Sequence, residues 1–128
     1  MRALLDTHAF LWFIEGSGRL SKSAKDHIED RSHDLLLSIA SLWEMAVKIS
    51  LGKLEVSQPF AEFVQSHLAL SSIGLFEITP QHTYAVAGLP FHHRDPFDRL
   101  LVAQCLGEGL TLISSDAIFE KYGVDRLW

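Results

Sequence analysis

What most limits the fold of this chain is an alternation along it. Apolar runs too short for helices are separated by stretches with helical periodicity. Residues 2–5 form one such run, ending at Asp6; Leu35-Leu36-Leu37 form a second and Leu110-Thr111-Leu112-Ile113 a third. Short apolar runs of this kind read as buried strands. Between them the spacing predicts a helix from His8 to Ile14 and a polar helix over Lys22–Glu29 capped by Ser21. After Ser38 it predicts another, in which Ile39, Leu42, Met45, Ala46 and Ile49 share a face, with Gly52 as its stop. Pro59 opens a helix with Phe60, Phe63, Val64 and Leu68 on one side. Phe76-Glu77-Ile78 reads as a weaker strand, and Thr79-Pro80 as the start of a helix over Gln81–Ala87. Asp95-Pro96 repeats that start signal before a helix over Phe97–Leu106, which Gly107 and Gly109 break. Asp116 begins a short helix reaching Tyr122, and Val124 begins a final edge strand.

Strands joined by helices imply crossover units and a parallel sheet. The expected fold class is therefore α/β: one domain over residues 1–128, with a central parallel sheet of four to five strands and helices on both faces. The length suits a single compact domain. The single cysteine, Cys105, rules out an internal disulfide and a cysteine zinc site, and on a helix's apolar face it is expected to be an inert buried thiol. Cysteine usage suits a reducing compartment, no stretch is long and apolar enough to span a bilayer, and Asp6 comes too early for a secretory signal. A cytoplasmic protein without a membrane partner is the expectation. A formal net charge of −5 argues against a protein that coats nucleic acid by charge alone. It leaves room for an acidic centre that attracts phosphate through bound divalent cations.

Four acidic residues stand out. In open parallel sheets ligands bind beyond the carboxyl ends of the strands. Asp6 ends the first strand and Asp116 follows the 110–113 strand, so both should open onto one sheet edge. Glu44 lies in the helix after the 35–37 strand, and a rise of about 1.5 Å per residue sets it near the same edge. Asp98 is in the first turn of its helix, whose start either reaches that edge or lies away from it. Each has a plainer reading. Glu44 is four residues before Lys48, the spacing of a helix-surface ion pair. Asp98 sits where a negative charge complements the helix dipole, and Asp116 where it caps the following helix. Asp95, just before Pro96, reads as a helix cap. For Asp6 a site role is favoured, because Thr7 is available for capping. Together, the four would be unable to stay ionised at close range without cations. Oxygen donors alone suit Mg²⁺ or Mn²⁺, ions that orient and acidify water for phosphodiester hydrolysis.

These residues fall in stretches with a family resemblance. Leu4-Leu5-Asp6-Thr7-His8-Ala9-Phe10-Leu11-Trp12, Ser38-Ile39-Ala40-Ser41-Leu42-Trp43-Glu44-Met45-Ala46-Val47-Lys48, Leu51-Gly52-Lys53-Leu54, Arg94-Asp95-Pro96-Phe97-Asp98-Arg99-Leu100-Leu101-Val102-Ala103-Gln104 and Leu112-Ile113-Ser114-Ser115-Asp116 occur in one order over nearly the whole chain. In these stretches the chain resembles the PIN-domain ribonucleases, in particular the VapC-type toxins of bacterial toxin–antitoxin pairs. The resemblance implies that Asp6, Glu44, Asp98 and Asp116 form an acidic quartet holding Mg²⁺ or Mn²⁺, with Asp6 and Asp98 the most direct ligands. It also implies that Ser114, with Thr7, supports the site by hydrogen bonding. It further implies endoribonuclease activity on single-stranded or structured RNA, a homodimer, a cognate antitoxin protein that reaches into the active-site groove, and operator DNA bound only through the antitoxin complex.

Arg94 and Arg99 flank the third acidic stretch and are weak candidates for phosphate contacts; ion pairing with nearby acids stands equally for Arg99. Among the seven histidines, His92 and His93 are expected in a solvated or RNA-facing loop rather than as ligands, and His8 in packing or capping. Trp12 and Trp43 are read as core or interface rather than base-stacking residues. Two rival readings are a catalytically silent binding module of the same fold and a phosphoryl-receiver-like signalling domain. The second wants paired early acids and a late lysine, where this chain has Asp6 alone and Ser114-Ser115-Asp116.

Overall fold

A computed structural model describes residues 1–128. In chain order the elements are β1 (Arg2–Leu5), α1 (Thr7–Glu15), α2 (Lys22–Glu29), β2 (Asp34–Ser38), α3 (Ile39–Ser50), α4 (Phe60–Ser71), β3 (Ile73–Phe76), α5 (Pro80–Ala87), α6 (Pro96–Glu108), β4 (Thr111–Ile113), a 3-10 turn (Ala117–Tyr122) and β5 (Arg126–Leu127). The five strands make one sheet in the order β3-β2-β1-β4-β5, and every pairing is parallel. β1 is the middle strand, with Leu4 opposite Leu36 on one side and Leu112 on the other. A parallel strand covered on both faces needs continuous apolar sequence, and Ala3, Leu4, Leu5, Leu112 and Ile113 are fully buried.

The two faces carry separate cores. On one, Leu5, Phe10, Ala24, Ile28, Leu37, Met45, Phe63 and Ile73 bring α1, α2, α3 and α4 against the sheet. On the other, Leu4, Leu101, Val102, Cys105, Leu112, Phe119 and Tyr122 do so for α6 and the 3-10 turn. The α/β architecture with helices on both faces is as the sequence predicts. Burial pushes the Cys105 thiol up to about 12, so it has no thiolate near neutral pH and is inert.

Two strand positions differ from expectation. The weak strand is Ile73–Phe76, not 76–78. Ser72, at φ 54, ends α4 in a left-handed turn and delivers Ile73 directly into register with Leu35. Pairing beside β2 thus overrides the poor strand tendency of Gly74, where a Cβ would come within 3.3 Å of the Leu36 side chain. The last strand starts at Arg126 rather than Val124. The Val124 side chain packs into the second core, and edge pairing begins where Leu112 N–H donates to Asp125 O.

The order of strands reverses between β1 and β4: the chain moves outward from β1 to β2 and β3, then crosses back to place β4 on the other side of β1. The carboxyl ends of these two strands define a crevice of the kind that holds ligands. Phe10, fully buried one turn beyond β1, anchors α1 against this sheet. Phe10→Ala is expected to cost about 3–5 kcal/mol, read as a lower urea midpoint at unchanged slope.

Candidate active site

Asp6 is the first residue beyond β1. Its backbone N–H donates to Ile113 O, which continues the β1–β4 ladder to the lip of the crevice. Its Oδ1 accepts the Ala9 N–H at 2.7 Å, so Asp6 itself caps α1. The sequence reading gave that role to Thr7, but Thr7 is committed elsewhere. Its hydroxyl donates to Glu44 Oε1 at 2.7 Å and lies 3.0 Å from Ser41 Oγ. Glu44 is buried, and its other oxygen receives Lys48 Nζ at 2.7 Å. The Glu44–Lys48 pair anticipated from spacing is therefore present, with the carboxylate inside the protein rather than on a solvated face.

Asp98 lies in the first turn of α6. Asp95 caps that helix, accepting the N–H groups of Phe97 and Asp98, with Pro96 at the first helical position. The start of α6 faces the crevice, since the charges of Glu44, Asp6 and Asp116 act on Asp98. Asp116 follows β4. Its N–H donates to Ser114 Oγ and its Oδ1 accepts the Ile118 N–H, so it caps the 3-10 turn while its other oxygen points into the cluster.

The four carboxylates crowd one another. Burial, then the charges of Asp95, Glu44, Asp6 and Asp116, push the Asp98 carboxyl up to about 8. Burial also raises the Asp6 carboxyl, while the Ser114 hydroxyl and the Ala9 N–H oppose the shift. Glu44 acts on both. Like charges brought together until one keeps its proton are what a hard divalent cation relieves, and the donors here are oxygens. The residues present thus fit such an ion. Asp98 and Asp116 direct oxygens at a common point, with the His93 ring nitrogen beside them; both Glu44 oxygens and one Asp6 oxygen already hold hydrogen bonds.

His93 belongs to this cluster: it lies in a loop, as expected, but its ring turns onto the acids. Its Nε2 is 3.0 Å from Asp98 Oδ2 and 3.4 Å from Asp116 Oδ2. Nδ1 accepts the Asp95 N–H at 3.2 Å, leaving Nε2 as the ring's donor toward both carboxylates. The sequence signal was weak because no acid stands at helical spacing from His93; the contact is made across the loop.

Arg99 needs correcting. It is buried, and its guanidinium donates to the carbonyls of Pro90, Val86 and Leu89, lies 3.4 Å from Tyr122 Oη, and rests 4.1 Å over the Phe91 ring. Both terminal nitrogens are thus taken up inside the protein, and it pairs with no acid. It holds the 86–91 segment, and Tyr122 Oη accepts the His93 N–H. Arg94 is exposed beside the cluster. Trp12 is partly buried between His8 and Trp128, whereas Trp43 is 59% exposed and so not a core residue.

Comparison with known proteins gives the fold its family. The PIN domain family model matches residues 3–125, and the chain belongs to that family. It is 27% identical over 114 residues to ribonuclease VapC22 of Mycobacterium tuberculosis, a match covering 88% of this chain and 85% of that protein. Its fold is shared with VapBC2 from Rickettsia felis, solved bound to a DNA fragment from its promoter (TM-score 0.68, 18% identity, 99% of this chain and 98% of that one). It is shared also with VapBC-1 from nontypeable Haemophilus influenzae (TM-score 0.67, 15% identity, 99% and 97%).

The raised Asp98 carboxyl has a pH consequence. Its proton is held more tightly in the folded chain than in the unfolded one. The stability this contributes is complete below pH 3.8 and is lost as pH rises to about 8. In chelator-treated protein, the melting temperature of Asp98→Asn relative to wild type should therefore climb across that window. Millimolar Mg²⁺ or Mn²⁺ should shrink the difference at pH 8. A difference flat with pH would contradict the crowding described here.

Proposed function

We propose that this chain is a VapC-type endoribonuclease that hydrolyses phosphodiester bonds of single-stranded or structured RNA with Mg²⁺ or Mn²⁺, and is the toxin of a toxin–antitoxin pair. The observation that carries the reading is the Asp98 carboxyl, surrounded by Asp6, Glu44 and Asp116 at the reversal of the sheet. Its family membership and its likeness to a named ribonuclease support the same assignment.

Asp98 and Asp116 would hold the ion with Asp6, and Glu44 would complete the negative field. When bound, a divalent cation supplies Lewis acidity toward the phosphate and lowers the pKa of the attacking water. The chain's own groups do the rest. Ser114 and the Ala9 N–H fix the Asp6 carboxylate, and the Thr7 hydroxyl and Lys48 ammonium fix Glu44. The His93 N–H orients Asp98 and Asp116. Arg94, exposed and next in the chain to His93, would meet an RNA phosphate.

The same reading implies a cognate antitoxin that offers a basic side chain to the acidic cleft, a homodimer as the working unit, operator DNA bound through the antitoxin complex, and action in the cytoplasm. The solved relatives are themselves VapBC assemblies, one of them with promoter DNA. No helix here is long and apolar enough to cross a membrane.

Purified protein should cleave single-stranded RNA with Mg²⁺ or Mn²⁺ and stop when the ion is chelated. Asp6→Ala or Asp98→Ala should reduce kcat/KM by on the order of a hundredfold or more, and Thr7→Val by about 10–100-fold, the range for partners that orient metal-binding groups. An inert wild-type protein that still binds RNA would favour the silent binding module. Isolation from the native source should bring down a small partner protein. Undiminished cleavage in the presence of its operon neighbour would refute the antitoxin part of the reading.

A further inference from the structure

One buried hydroxyl joins the two segments that bring Asp98 and Asp116 together. Tyr122, the last residue of the 3-10 turn, is buried, and its Oη accepts the His93 backbone N–H at 2.8 Å across 29 residues of chain. Arg99 Nη1, reaching from α6, lies 3.4 Å from the same oxygen. The His93 ring turns to the other end of that 3-10 turn. Its Nε2 stands 3.4 Å from Asp116 Oδ2 and 3.0 Å from Asp98 Oδ2. Asp116 caps the turn that Tyr122 closes, while Asp98 lies in the first turn of α6. His93 is thus gripped twice, its backbone by the last residue of the turn and its ring by the residue that caps it. The Tyr122 ring packs in the second core with Leu101, Val102 and Phe119, and a phenylalanine ring would fill that space as well. Core packing accounts for the ring and not for the oxygen.

We propose that Tyr122 is a positioning residue for the reaction: through His93 its hydroxyl holds the spacing of Asp98 and Asp116, and so sets how tightly they take a divalent cation. The inference rests on the metal-dependent ribonuclease reading. The two carboxylates arrive on separate elements, one before β4 and one after it. Their charges oppose one another and push the segments apart. A hard ion such as Mg²⁺ tolerates little error in that spacing, since it takes oxygens at about 2.0–2.1 Å in near-ideal octahedral array. The spacing therefore needs a tie that does not depend on the ion. The Tyr122 hydroxyl on the His93 amide is that tie, and Arg99, fixed to the carbonyls of Val86, Leu89 and Pro90, steadies it from α6. Tyr122 takes no part in bond making.

The test is Tyr122→Phe, which removes one oxygen and keeps the ring. Calorimetric titration of RNA-free protein with Mn²⁺ should give a Kd about tenfold weaker than wild type, the low end for partners that orient metal-binding groups. Thr111→Val supplies the comparison. It deletes another hydroxyl, bonded to Asp125 at the end of β4 away from the crevice, and should leave that Kd within about twofold. With RNA, Tyr122→Phe should cut kcat about fivefold when Mn²⁺ equals the wild-type Kd, and saturating Mn²⁺ should restore it, with KM unchanged throughout. A Mn²⁺ affinity that Tyr122→Phe leaves alone, or that Thr111→Val weakens equally, would overturn the positioning role. Should Tyr122→Phe fail to fold, the wild type decides. Ion and tie must strengthen each other reciprocally, so saturating Mg²⁺ should slow hydrogen exchange at the His93 amide. A rate indifferent to Mg²⁺ sinks the proposal. Wild type that takes up Mn²⁺ yet cleaves no RNA refutes the ribonuclease reading and leaves Tyr122 its role; wild type that takes up neither ion refutes both.

Discussion

Negative charge concentrated at the reversal between β1 and β4 sets the terms for the rest of this molecule. Burying a carboxylate is costly unless hydrogen bonds or an opposite charge compensate, and each member of the quartet has been given a different form of compensation. Asp6 has a backbone N–H and a serine hydroxyl, Glu44 a threonine and a lysine, Asp116 a backbone N–H and the His93 ring. Asp98 has the least, sharing the His93 ring while facing the other acids, and its carboxyl is pushed up to about 8. Some electrostatic strain is left at the residue where a cation would do most.

Seen in this way, the helix caps have a second role. Asp6, Asp95 and Asp116 each satisfy the orphan donors at the start of a helix or turn. Asp6 and Asp116 thereby commit one oxygen to the backbone and are held in a single orientation. Capping and site building are one device. For these positions the plainer and the functional readings of the sequence were never alternatives.

Much of the fold was legible because it follows from periodicity: buried strands such as Leu4-Leu5 and Leu112-Ile113 read as apolar runs, and the rule for parallel sheets sends Asp6 and Asp116 to one edge. What escaped depends on long-range packing. β3 could not be placed because a glycine-containing segment becomes a strand only through pairing with β2. The contact of His93 with the acids could not be read, because its loop is held by Arg99 on the carbonyls of Val86, Leu89 and Pro90 and by Tyr122, 29 residues further on. Arg99 beside an acidic motif suggested phosphate, but its planar fork of donors serves a buried loop equally well. Glu44 and Asp98 were assigned less from spacing than from family resemblance.

The central place of β1 also bears on synthesis. β1 is made before all six helices, yet one of its two neighbours, β4, is made after them, and Ser114 and Asp116 come after it. Everything between β1 and β4 must be present before the crevice has both walls, a contact of very high sequence separation that forms slowly. Until then, Asp6 has no β4 beside it, and the nascent polypeptide has no complete acidic centre. A partial chain that stops short of β4 would carry Asp6 and Glu44 without the strand that closes the crevice beside them.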